Sequence, residues 1–347
     1  MNMNKKNILF MAATAVAAIF VAACGPKSSD MTRLNGVFGD EAPAEVHIRA
    51  AGVDTVIAVE GGKFAFSVPV ELTEIAVVEC EYGPLNFVSD GSKLTFDFSG
   101  DNLTVTSSDP KSVTSRLHAY IDKNRELAMA IRAEEDEEKS EELYENYVKY
   151  NQEVVLANTD NFLGLAALQN VYHEYEAADL VEVLNQLAPA LQEKDFVQTI
   201  SKAAQAQMNT GEGAMFTDFE IEEEEGKVTK FSDFVGNGKY VLVDFWASWC
   251  GPCKREMPYI AAAYAKYHSD KFDVLSVAVW DKVEDTVKAA PELGIVWNQI
   301  INAQRIPTEI YGIQGIPHLI LFGPDGTILK RGLRGEGIEE ELSKYLD

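Results

Sequence analysis

The sequence predicts a multidomain chain: an N-terminal antiparallel β-sandwich or barrel, a helical middle segment and a C-terminal α/β domain. Three observations carry this. Short runs of β-branched and aromatic residues recur between residues 31 and 109, separated by turn residues. From 110 to 210 the apolar positions switch to helical spacing. From 211 to 347 apolar strand-like runs alternate with helical segments. The chain has 347 residues, 46% of them hydrophobic, enough for two or three domains with a sizeable core.

The first residues stand apart from the fold. Lys5 and Lys6 form a positive start, residues 8–23 are apolar, and small residues then precede a cysteine in Val21-Ala22-Ala23-Cys24. That ending resembles a bacterial lipobox. The resemblance implies a lipoprotein signal peptide over 1–23, cut before Cys24, which is then lipidated. Residues 24–30 become a tether. An ordinary cleaved signal and an uncleaved anchor helix are the competing readings. The stretch is short for a spanning helix of ~20 residues, and no second apolar run approaches that length. The expected location is the cell envelope, lipid-anchored and facing the periplasm, with inner and outer membrane both open.

The β region, 31–109, shows strand-like runs at 45–49, 55–60, 63–68, 75–82, 93–98 and 103–106. Gly61-Gly62 between two alternating runs predicts a tight hairpin, and Asp90-Gly91 a second turn. Regular short strands of this kind suit a small sandwich or barrel. The layout resembles a β-domain of unknown function that precedes a redox domain in lipoproteins of the Bacteroidota. Cys80 lies in an alternating run, and either a buried inert thiol or a resolving thiol fits it.

In the helical region, 110–210, Leu117, Ile121, Leu127 and Ile131 recur at near-helical spacing, continued by Tyr144, Tyr147 and Val148. Two further helical stretches cover 161–174 and 177–207, the second interrupted near Pro189. The tyrosines are expected in the core. The acidic run Glu134-Glu135-Asp136-Glu137-Glu138 reads as a solvated face or loop, because a calcium loop needs alternating ligands and a glycine turn. This region reads as a spacer or bundle, or as a dimer surface.

The last region, 211–347, opens with a Gly- and Glu-rich entry. A central strand is expected at 240–246, a helix at 254–268, a buried strand at 272–279, a helix at 284–290, a hairpin of 318–322 with 327–331, and a closing helix at 336–346. Between the first strand and helix stands Cys250-Gly251-Pro252-Cys253. This places a thiol pair at a helix N-terminus, where unpaired N–H groups and the helix dipole stabilise a thiolate. A thiolate is the attacking species of dithiol–disulfide exchange. A zinc half-site shares the spacing but needs a second ligand pair.

Trp249-Cys250-Gly251-Pro252-Cys253, preceded by Val243-Asp244-Phe245-Trp246-Ala247-Ser248, resembles the active site of thioredoxin and of the TlpA/ResA-like thiol–disulfide oxidoreductases. Asp244, Pro258, the pair Ile316-Pro317 and the turn Gly323-Pro324-Asp325-Gly326 fall at the family's positions, and the match spans about 213–347. The resemblance implies a thioredoxin fold and catalysis by Cys250, Cys253 and Asp244. Cys250 is expected as the exposed attacking thiol and Cys253 as the buried resolving one. Asp244 is a candidate acid/base for Cys253, or a structural carboxylate. Thioredoxin places a lysine near it on the following strand, and residues 274–280 hold none. Trp249, Gly251, Pro252, Ile316 and Pro317 form the expected substrate-binding set, with a cis bond before Pro317. Trp249 is expected to shield the thiols and Trp246 to lie in the core. His318 is expected to pack and Glu256 to lie on the surface.

The favoured function is a protein-disulfide reductase needing no cofactor or metal beyond its own thiols. The resemblance implies disulfide-containing protein substrates, among them apocytochrome c in cytochrome c maturation, and a membrane electron donor of the DsbD/CcdA type. The formal charge of −25 argues against nucleic acid, which wants a basic stripe. Two other classes compete. One is a partner-binding scaffold lipoprotein with an accessory redox domain. The other is a peroxiredoxin-like peroxidase, which would want a Thr-x-x-Cys site.

Overall fold

The computed structural model of the protein describes residues 30–347 apart from 101, 223–225 and 227. The expected signal peptide, Cys24 and the expected tether up to Ser29 lie outside the described residues. The chain divides into two units, one ending at His118 and one spanning Ala119–Asp347.

The first unit holds β1 (Met31–Phe38), β2 (Glu45–Ala50), β3 (Val53–Ala58), β4 (Lys63–Pro69), β5 (Glu71–Cys80), β6 (Gly83–Ser89), β7 (Lys93–Phe98) and β8 (Thr104–Ser107). They form two four-stranded sheets, ordered β4-β1-β7-β8 and β3-β2-β5-β6. The result is a sandwich and not a closed barrel. One pairing, β1 with β7, is parallel. Alternate residues fill the core, among them Leu34, Ile48, Val78, Phe87, Leu94 and Phe96. Gly61 and Gly62 take φ of 57° and 70° and make a tight turn closed by the Glu60–Lys63 bridge, but β3 and β4 part into different sheets, so the expected hairpin of these two strands does not form.

Two strands were not foreseen. β1 contains Asn35-Gly36, which reads as a turn. Gly36 serves packing instead: a Cβ there would lie 1.8 Å from the Phe64 ring. β6 opens on Gly83-Pro84, another turn signal. Cys80 ends β5 half-buried; burial chiefly pushes its thiol up, which fits the inert reading. Helix α1 (Val113–Ala133) starts under a borrowed cap, since the Val113 N–H donates to Asp90 Oδ2 at 2.5 Å.

The second unit continues with α2 (Glu137–Leu156), α3 (Phe162–Val171), α4 (Ala177–Gln186), α5 (Pro189–Gln192) and α6 (Asp195–Asn209). Asp136 caps α2 by accepting from the Lys139 N–H at 3.1 Å, and Glu137 and Glu138 occupy its first turn. The acidic run is thus a helix start, where negative charge is favoured. Pro189 sits in the first turn of α5, where its missing N–H is harmless. Tyr144 is 39% exposed and Ile121 42%, so neither is the core residue its spacing suggested.

The remaining elements are β9 (Glu220–Glu222), β10 (Val228–Lys230), β11 (Tyr240–Trp246), α7 (Gly251–Tyr267), β12 (Phe272–Ala278), α8 (Val283–Glu292), β13 (Asn298–Ile300), α9 (Ile306–Ile310), β14 (His318–Phe322), β15 (Ile328–Arg331) and α10 (Gly337–Leu346). Five of these strands form one sheet, ordered β13-β12-β11-β14-β15. β11 is central, parallel to β12 and antiparallel to β14. Apolar clusters cover both faces of the sheet, which is why β11 and β12 read as near-continuous apolar runs. This is the thioredoxin-like α/β arrangement. β9, β10, β13 and α9 had no counterpart in the sequence reading.

Candidate redox site

The site grows from the C-terminal end of β11. Four residues past Trp246, Cys250 takes φ −77° and ψ 102° and caps α7. Its Sγ accepts the Cys253 N–H at 3.1 Å and is bonded to Cys253 Sγ. Gly251 and Pro252 form the first turn between them. Cys253 is fully buried. Cys250, expected to be exposed, is only 3% exposed in this disulfide state. It packs into an apolar cluster with Trp246, Met257 and Ile316, and its Sγ lies 3.7 Å from the Ile316 carbonyl oxygen. The loop carrying the cis Ile316–Pro317 bond closes over the sulfur.

Asp244 is fully buried in β11, opposite Ser276 of β12. Ser276 Oγ donates to Asp244 Oδ2 at 3.3 Å and accepts from Trp297 Nε1 at 2.9 Å. Asp244 Oδ1 has no hydrogen-bond partner among the described residues. Burial pushes the carboxyl up to about 7; the Ser276 bond opposes this, Glu256 adds to it and Arg334 opposes it. On the neighbouring strand it is thus a serine hydroxyl, and not a lysine, that meets Asp244. The structure gives Asp244 a bond to Ser276, not to either cysteine.

Glu256 is not a surface residue. It is 8% exposed, and its Oε1 accepts the Gly335 N–H at 2.5 Å. The signal was present: Cys253, Glu256, Ile260 and Ala263 recur at three- and four-residue spacing along the buried face of α7. Helix α7 runs on through Pro258.

Beyond the cis bond, the Arg334 side chain donates to the carbonyl oxygens of Pro317 and Leu333. His318 is half-buried, with Nε2 3.4 Å from the Arg331 guanidinium. Burial first, then Arg331 and Arg334, hold its imidazole down to about 3. His318 is thus a neutral packing group.

A second clamp was invisible in the sequence. Asp281, 7% exposed, accepts the Ser248 N–H at 2.6 Å, the Ser248 hydroxyl at 3.0 Å and the Thr286 hydroxyl at 2.9 Å. Beside it, Trp249 Nε1 donates to the Trp280 carbonyl at 3.0 Å. Trp249 is 60% exposed, so its ring faces solvent rather than sealing the sulfurs, while Trp246 is wholly buried. Two residues past β12 thereby fix the two residues before Cys250.

Residues 213–331 match the AhpC/TSA family. The thiol–disulfide oxidoreductase ResA of Geobacillus thermodenitrificans is 29% identical over 135 residues, 39% of this chain and 76% of that protein. ResA of Bacillus thuringiensis is 30% identical over 129 residues, 37% of this chain and 72% of that protein. Among solved structures, the thioredoxin domain of a thiol–disulfide oxidoreductase from Bacteroides vulgatus is 31% identical, with a TM-score of 0.36, covering 40% of this chain and 99% of that one. A thiol:disulfide interchange protein from a Bacteroides species is 32% identical, with a TM-score of 0.36, over 40% of this chain and 92% of that one. Through its C-terminal region, this chain belongs to the ResA/TlpA-like thiol–disulfide oxidoreductases of the AhpC/TSA thioredoxin-like family.

Proposed function

We propose that this protein reduces disulfides in partner proteins at the cell envelope, through Cys250 and Cys253. The observation that carries the reading is the bonded cysteine pair, with one sulfur capping α7 beside the cis Ile316–Pro317 loop. In the dithiol form, the N–H groups of the first helical turn favour a Cys250 thiolate. That thiolate attacks a substrate disulfide, forms a mixed disulfide and expels one substrate thiolate. The Cys253 thiol loses its proton and attacks Cys250 Sγ. This closes the internal disulfide and releases the second substrate thiolate. Two electrons pass to the substrate in all. Asp244, pushed up to about 7, is suited to take the Cys253 proton at neutral pH.

The internal disulfide must then be reduced again. The family resemblance points to a membrane donor of the DsbD/CcdA type. The Val21-Ala22-Ala23-Cys24 sequence supports a lipid anchor at Cys24. No helix among the described residues is long and apolar enough to cross a membrane. A peroxidase is disfavoured because Ala247, not threonine, stands three residues before Cys250.

Insulin reduction with dithiothreitol tests the reading. Wild type should turn over, Cys250→Ser should be inactive, and Cys253→Ser should accumulate mixed disulfides. Equal behaviour of all three would leave the scaffold reading in its place.

A further inference from the structure

Helix α6 is fastened to the loop that leads into the cis-proline. Gln207 Nε2 donates to the Gly312 carbonyl at 2.7 Å. Arg331 donates to the Thr210 carbonyl at 2.8 Å, the Thr210 hydroxyl at 2.9 Å and the Tyr311 carbonyl at 2.6 Å. Gly312 has φ 64°, and a Cβ there would lie 2.3 Å from the Ala203 carbonyl oxygen. Glycine is what lets the two backbones meet. The helical segment is therefore held in fixed register with the redox site.

This makes α6 one wall of a cleft of about 1220 Å³. Tyr172 and Phe196, packed edge to face at 5.4 Å, line the cleft, as do Trp249 and Trp280. The cleft exceeds the roughly 300–1,000 Å³ usual for small-molecule pockets. Charges of both signs line it (Lys202 and Arg305, Asp285 and Glu309), so it selects for neither sign. Its aromatic groups are the distinctive feature.

Two stretches of the cleft lining lead to the disulfide. Trp249 precedes Cys250, and Ile313 and Gln314 lead to Ile316, whose carbonyl lies 3.7 Å from Cys250 Sγ. A polypeptide joined through its cysteine to Cys250 has this opening beside it. At roughly 3.3–3.6 Å per residue, the few residues flanking that cysteine reach the wall.

We infer that α6 and Tyr172 form a substrate-selecting wall: the cleft seats an extended polypeptide segment carrying a bulky apolar side chain close to its disulfide-bonded cysteine. The inference rests on the oxidoreductase reading and assigns the helical segment a part in it. The apolar side chain lies between Phe196 and the two tryptophans, and a small disulfide reaches Cys250 without touching α6.

The test uses the full chain, reduced, and three substrates. Two are roughly eight-residue peptides, each with its one cysteine in mixed disulfide with glutathione, and they differ only in having Phe or Ser beside it. The third is glutathione disulfide. Wild type should prefer the Phe peptide by roughly tenfold in kcat/KM. Phe196→Ala should bring that preference to within about twofold. Thr199→Trp, at an exposed α6 position lining the cleft, should lower the peptide-to-glutathione-disulfide ratio of kcat/KM by roughly tenfold without removing any core contact. An unchanged preference in Phe196→Ala together with an unchanged ratio in Thr199→Trp overturns the inference, as does a wild type indifferent to Phe and Ser. A wild type that reduces none of the three brings down the oxidoreductase reading itself.

Discussion

Ser276 faces Asp244 across the β11–β12 ladder and donates its hydroxyl to Asp244 Oδ2 at 3.3 Å. That neutral contact is what the buried carboxylate has in place of a cation on the neighbouring strand. A hydroxyl favours the charged carboxylate only weakly, so burial prevails and the group titrates near neutrality.

Replacing Asp244 should act on rate and stability in opposite senses. Asp244→Asn removes the proton acceptor for Cys253 and should slow release of the mixed disulfide by roughly 10²-fold, read by stopped-flow of a Cys250-linked substrate. The folded carboxyl is raised from 3.8 to about 7, so its stability is complete below the lower value and is lost as pH rises through the upper one. The variant should therefore gain on wild type with rising pH, up to a ceiling of about 4 kcal/mol. Urea melts at several pH values read this; parallel curves for the two proteins would contradict it.

Ser276→Ala should push the Asp244 carboxyl higher still. A hydrogen bond to a charged group is worth about 1.5 kcal/mol, or about one pKa unit. The alkaline shift should appear in the pH–rate profile of the resolving step. An acidic shift would mean that the hydroxyl does not favour the carboxylate.

Asp281 should prove a positioning residue. Asp281→Ala leaves the Ser248 N–H without its acceptor and should destabilise the C-terminal region by about 2 kcal/mol. Because Ser248 lies two residues before Cys250, kcat/KM should fall roughly tenfold through misplacement of the sulfur. Asp281→Asn, which keeps one acceptor oxygen, should recover part of both. Full activity in the alanine variant would remove Asp281 from the site's support.

Gly36→Ala tests the β-sandwich separately. The added methyl meets the Phe64 ring and should cost about 1–3 kcal/mol. Hydrogen exchange at β1, β4 and β7 amides reads this locally, which suits a chain whose units need not unfold together. A second change, Phe64→Leu, should restore part of the protection. Unaltered exchange would show that the ring simply moves aside.

Where a segment's local chemistry agreed with its place in the fold, the sequence was readable. β11 and β7 carry unbroken strand patterns, and Cys250-Gly251-Pro252-Cys253 announces both the helix start and its reaction. β1 was hidden because Asn35-Gly36 looks like a turn until Phe64 is seen lying over the glycine. Glu256 was misplaced because a carboxylate is usually solvated, and the backbone N–H that holds it comes from Gly335, 79 residues on. Asp281, Arg334 and Gly312 have no local signature at all. Their partners, Ser248, Pro317 and Ala203, are distant in sequence.

The sequence by itself determined the two sulfurs, their spacing, the strand-to-helix turn that presents them and the alternation of β, helical and α/β regions. These follow from short-range periodicity and from the conformations that Gly, Pro and Cys accept. Only the tertiary structure decided that Cys250 lies beneath the Ile316 carbonyl, that Asp244 answers to a serine and that α6 stands along the approach to the site. Such relations depend on which surfaces meet when apolar area is buried. That choice is made by the whole chain at once and leaves no mark on any short stretch of it.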